Sequence, residues 1–108
     1  MNENIFKKNL KTIMCEDYPD FIDSIMSEEF DNDLGQLIVD AIGYGFSNEI
    51  HISIFILNAW LLGLNFDKNH EIILNKLSSK HLTSQQKIQW LENYIDITLN
   101  PALFSIRR

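Results

Sequence analysis

The stretch Glu49-Ile50-His51-Ile52-Ser53-Ile54-Phe55-Ile56-Leu57-Asn58-Ala59-Trp60-Leu61-Leu62-Gly63-Leu64 decides the fold class. Alternation and β-branching over residues 49–57 favour a strand. Helical spacing fits as well, since Ile50, Ile54, Leu57, Leu61 and Leu64 recur at intervals of four, three, four and three. Length separates the two. The apolar run Ile50–Leu64 holds 15 residues, and a single strand of that size would be about 50 Å long. The favoured reading is a central buried helix from about Ser47 to Leu62. A strand followed by a short helix is the alternative.

The flanking segments read as helices too. The first runs from about Glu3 to Cys15, with Ile5, Phe6, Leu10, Ile13 and Met14 near one face. Pro19 suits the first turn of a second, whose apolar side is Ile22, Ile25, Met26 and Phe30. Glu29 falls on that side, so an end or bend is expected near Ser27–Glu29. A third helix spans about Asp33 to Tyr44 and closes at Gly43 and Gly45. Leu34, Leu37, Ile38, Ala41 and Ile42 fill its apolar arc. Asp33, Gln36, Asp40, Tyr44 and Ser47 form a stripe about 80° wide on the other side.

Beyond the central helix, Asn65-Phe66-Asp67 reads as a turn. Asp67 then caps a helix from Lys68 to about Leu77, with His70, Ile73, Leu74 and Leu77 inward. Thr83 and Gln86 form a capping box that opens a last helix, to about Thr98. Ile88, Leu91, Ile95 and Leu99 make its main face, and Trp90, Tyr94 and Ile97 a second. Pro101 follows its end, and Ala102–Arg108 form a tail. The expected fold is all-α: one domain over 1–108, a compact bundle of about six short antiparallel helices.

Composition agrees with an ordinary globular chain of 108 residues, 45% hydrophobic and 22% charged, which excludes disorder. A single cysteine, Cys15, excludes an internal disulfide. Met1–Lys8 carry no apolar run of signal-peptide length, and Ile50–Leu64 as a helix falls short of a bilayer. A cytoplasmic protein without a membrane partner is expected.

Charge is unevenly spread. The net charge is −6. Between Lys11 and Lys68 stand eleven acidic residues and no Lys or Arg, a net of −11. Such a field attracts a cationic partner and repels nucleic acid. The expected binding surface centres on Asp33, Asp40 and Tyr44, with Asp20, Asp23 and Asp31 as its rim. An amphipathic aromatic among carboxylates suits a basic protein surface.

Catalytic and metal motifs fail at specific positions. Asp31-Asn32-Asp33-Leu34-Gly35 starts like a calcium loop, but Gly35, Gln36 and Ile42 stand where a ligand, the turn glycine and the bidentate Glu belong. His70-Glu71 lacks the second histidine of a zinc-protease helix, since Leu74 occupies its place. Cys15 ends a helix beside Glu16 and Asp17, which disfavour a thiolate. No enzyme activity, cofactor or metal site is expected.

Residues Ile54–Leu77, with His70-Glu71-Ile72-Ile73 as the matching part, resemble helical-pair segments of small bacterial immunity proteins, some with HEAT-like helical hairpins. In these an apolar helix leads to a His-Glu-aliphatic helix start. The resemblance implies an inhibitor from a polymorphic-toxin or contact-dependent growth inhibition system. Such a protein neutralises one cognate toxin, often a basic nuclease, and needs no catalytic residue. A monomer in a 1:1 complex is the expected form. The alternative is a helical adaptor or homodimeric regulator that uses Trp90 and Tyr94.

Overall fold

The computed structural model describes residues 2–99. Among them every regular element is helical, and the protein is all-α. The elements are α1 (Glu3–Asp17), a 3₁₀ turn (Pro19–Phe21), α2 (Ile22–Ile25), α3 (Glu28–Gly43), α4 (Glu49–Leu62), α5 (Phe66–Asn69), α6 (Glu71–Leu77) and α7 (Ser84–Leu99). The chain divides into two compact units, Met1–Ile56 and Leu57–Arg108, where the sequence reading takes one domain. Pro101 and the tail Ala102–Arg108 lie outside the described residues.

In the first unit, the Asn2 side chain caps α1 by accepting the Ile5 N–H at 3.1 Å. Phe6, Leu10 and Met14, one turn apart, are its buried stripe. Ile5 and Ile13, expected on that face, are instead exposed. The expected second helix breaks into the 3₁₀ turn and the single turn α2. Ser27 then starts α3 earlier than the expected Asp33. Its hydroxyl donates to the Ser24 carbonyl at 2.7 Å and accepts the Phe30 N–H at 3.2 Å. Glu28, Glu29 and Asp31 fill the first turn, where the helix dipole favours negative charge. Phe30, Leu34, Leu37, Ile38 and Ala41 bury the inner side of α3.

Two hydrogen bonds close α3. The Phe46 N–H donates to the Ala41 carbonyl at 3.1 Å, and the Gly45 N–H to the Ile42 carbonyl at 2.9 Å. This is a Schellman motif, and it requires left-handed backbone at Gly45, whose φ is 96°. Phe46 and Ala41, at the ends of the six-residue loop, are both fully buried.

The deciding stretch is a helix. Asn48 caps it by accepting the Ile50 N–H at 2.7 Å. The four-three stripe, however, is not the buried one. Ile50 is 68% exposed and Leu61 49%, and Ile54 and Leu57 are half-buried. The buried apolar residues are Ile52, Phe55 and Ile56 in the first unit and Ala59 in the second, where Asn58 is buried too. Both sides of this helix are apolar, so period alone does not choose between them. Aromatic packing does. The Phe55 ring lies 6.2 Å from Phe46 and 5.7 Å, edge-on, from Tyr44.

In the second unit, Gly63 turns the chain at φ 115°. The expected turn at Asn65–Asp67 is instead the start of α5, in which Phe66 and Asp67 are buried. The expected helix Lys68–Leu77 is broken at His70, whose φ of −120° and ψ of 108° are extended. His70 is exposed rather than inward, and Ile73 and Leu77 carry the burial of α6. Thr83 and Gln86 form the capping box: Thr83 N–H donates to Gln86 Oε1 at 2.9 Å, and Gln86 N–H to Thr83 Oγ1 at 3.1 Å. Lys87, Ile88 and Leu91 of α7 are buried and Ile95 is half-buried, while the side chains of Ile97 and Leu99 lie outside the described residues. Among the described residues no helix is long and apolar enough to cross a membrane.

Two glycines of α3 and its end should respond oppositely to one substitution. A Cβ on Gly35 would sit in ordinary contact, 3.6 Å from Lys7 Nζ. Gly35→Ala is expected to stabilise by up to about 1 kcal/mol through helix propensity. Gly45→Ala is expected to destabilise by about 1–2 kcal/mol, since its backbone is left-handed. Urea midpoints of the two variants check the signs.

Candidate functional site

At 100° per residue, Asp33, Asp40 and Tyr44 lie on one flank of α3, roughly 60–100° from the centre of its buried arc. All three are half-buried. They share a stripe, as the sequence indicates, but it borders the core instead of opposing it. The outward face carries Asn32, Gln36, Val39 and Gly43. Val39 is 60% exposed and its neighbour Ile42 is 53%.

Each member of the stripe has a distinct environment. Asp40 Oδ1 accepts from Gln36 Nε2 at 2.9 Å, one turn earlier. Tyr44 is the C-cap of α3, and its ring rests edge-on against Phe55. Its aromatic surface is therefore shared with the core. Asp20 and Asp23 are exposed, on the 3₁₀ turn and α2. Among the described residues no Lys or Arg lies within ion-pair distance of Asp20, Asp23 or Asp33.

Asp31 differs from the other rim carboxylates. It faces α1, where Lys11 Nζ donates to its Oδ1. Lys7 Nζ lies 3.6 Å from Oδ2, and 3.9 Å from Glu3 on its own helix. The Lys11 hydrogen bond, aided by the positive charges of Lys11 and Lys7, holds the Asp31 carboxyl below its ordinary value of 3.8. Asp31 thus ties α3 to α1. The i, i+4 pair Lys7/Lys11 was visible in the sequence; its partner on α3 was not.

The exposed apolar residues Phe21 and Ile22, beside Asp20 and Asp23, were also missed as surface. They carry no sequence signal, because an apolar residue on a short helix reads as core. On α7, Trp90 and Tyr94 are half-buried and stacked, with ring centroids 5.2 Å apart. Lys76 Nζ sits 5.9 Å from the Trp90 ring. Residues 31–35 lie within continuous helix α3. Among the described residues no group of three or more His, Cys, Asp or Glu could hold a metal ion.

Comparison with family models, curated proteins and solved structures finds no match. What the arrangement offers is a carboxylate-rich surface with exposed apolar side chains, suited to recognition.

The Asp31 environment sets a pH dependence. A lowered folded value means that its contribution to stability is fully present above about 3.8 and is lost as pH falls through the folded value. Asp31→Asn should therefore be less stable than the parent near neutrality. The two should converge in acid, below the folded value. Urea unfolding across the acid range checks this, and parallel curves at all pH values would remove the ion pair's role.

Proposed function

We propose that the chain is a cytoplasmic immunity protein that binds a cognate basic toxin domain, a nuclease by class, and occludes it in a 1:1 complex. One observation carries the reading: the first unit holds three Lys, no Arg and eleven acidic residues, a net of −8. Its Lys7 and Lys11 are engaged with Asp31, and among the described residues no Lys or Arg lies within ion-pair distance of the exposed Asp20 and Asp23 or the half-buried Asp33. Self-repulsion of this kind is relieved by a cationic partner, which it also steers into place. The likeness of Ile54–Leu77 to immunity-protein segments supports the same reading.

The surface divides by role. Asp33 and Asp40 would meet basic side chains along the flank of α3. Val39, Ile42, Phe21 and Ile22 supply apolar area between charges, the usual anatomy of a protein interface. Tyr44, half-buried with its ring edge-on to Phe55, would contribute at the border of this surface. Asp31 contributes least, since two ammonium groups already offset its charge.

The experiment is co-purification with a basic toxin encoded next to this gene, followed by binding of variants at low and high salt. Asp33→Lys combined with Asp40→Lys should weaken the complex by at least about tenfold, or about 1.4 kcal/mol. Single changes at Asp20 or Asp23 should slow association, an effect that fades with salt. Full binding by the double variant, together with its loss in Trp90→Ala or Tyr94→Ala, would overturn the acidic surface and favour an adaptor that uses the α7 aromatics.

A further inference from the structure

Asn4, Lys7, Lys8, Lys11 and Thr12 of α1 line a cavity of about 340 Å³, with Asp31 of α3 facing them. Lys7, Lys8 and Lys11 are all the Lys and Arg that residues 1–56 contain. Every cation of a strongly acidic unit therefore opens onto one cavity. The side chains of Lys7 and Lys11 are only 14% and 15% exposed, held down by Asp31. Lys8 is exposed, and among the described residues no carboxylate lies within ion-pair distance of it. The lining itself holds three ammonium groups and one carboxylate, and stays net positive when Glu3, 3.9 Å from Lys7 Nζ, is included.

We infer that this cavity binds a small phosphate monoester, with the three lysines as its ammonium partners. The charge matches, because a phosphate monoester carries nearly two negative charges on one compact centre at neutral pH. A compact dianion suits ammonium groups clustered within two turns of one helix better than a dicarboxylate, whose charges are spread. The Asn4 amide can add a neutral donor. The Thr12 hydroxyl proton is directed to the Lys8 carbonyl at 2.9 Å, so its oxygen is left as an acceptor. The volume lies at the low end for small-molecule sites, about 300–1,000 Å³. A polyanion is disfavoured by the −8 of the surrounding unit. This site shares only Asp31 with the acidic surface and does not rest on the partner proposed for it.

The test uses the full chain and inorganic phosphate as the probe, with sodium chloride at matched ionic strength as the reference. Backbone amide resonances are followed through both titrations. Saturable shifts centred on residues 4–12 in phosphate, and not in chloride, are expected. Lys8→Gln, an exposed change that should leave folding intact, is expected to weaken phosphate about tenfold, the loss of one charge-assisted contact. Lys80→Gln, outside the cavity, should leave it unchanged. Shifts that match chloride, or that fail to saturate, would overturn the site. So would equal weakening by Lys8→Gln and Lys80→Gln, or phosphate affinity that Lys8→Gln does not alter.

Discussion

The left-handed backbone at Gly45 is the constraint on which the first unit depends. It lets the chain reverse after α3 while the Phe46 N–H satisfies the Ala41 carbonyl. Phe46 is thereby turned inward, where it meets Phe55 and His51 of α4. That contact selects which apolar side of α4 is buried. The same reversal leaves Tyr44 as the C-cap of α3, edge-on to Phe55. The packing of Phe46, Phe55 and Tyr44 thus follows from one turn.

Charge adds a second layer of organisation. A unit with net −8 is destabilised by its own field. Its few cations are not scattered through that field. They converge on α1, where Lys7 and Lys11 fasten Asp31 and so tie the first helix to the third. Asp20 and Asp23, by contrast, are exposed on the 3₁₀ turn and α2. Local attraction holds the scaffold at one place, and long-range attraction is left available at another.

Much of the fold was legible in the sequence, and the failures have physical causes. Excess length ruled out a strand at Ile50–Leu64, and α4 is a helix. The capping box at Thr83 and Gln86 follows from local hydrogen-bonding capacity alone. The break near Ser27 was signalled by Glu29 on an apolar face. The buried side of α4 was not legible, because Ile50 and Ile52 are chemically alike and only Phe46 distinguishes their surroundings. His70 and Asp67 exchanged roles, one exposed and the other buried, because the chain breaks at His70 instead of before Lys68. For the candidate site, periodicity grouped Asp33, Asp40 and Tyr44 correctly on one stripe. It could not find the ion pair of Asp31, whose partner Lys11 is 20 residues away. Nor could it show that Tyr44 rests on Phe55, since that is a tertiary contact.

Among the described residues, the helix pairs with the most contact are near neighbours along the chain: α1 with α2, α2 with α3, α5 with α6, and α6 with α7. Even the tie between α1 and α3 closes a short loop. Loop closure then costs little entropy before contacts form, and folding rates rise as contacts become more local. Such a chain belongs kinetically with helical bundles, which fold in microseconds to milliseconds.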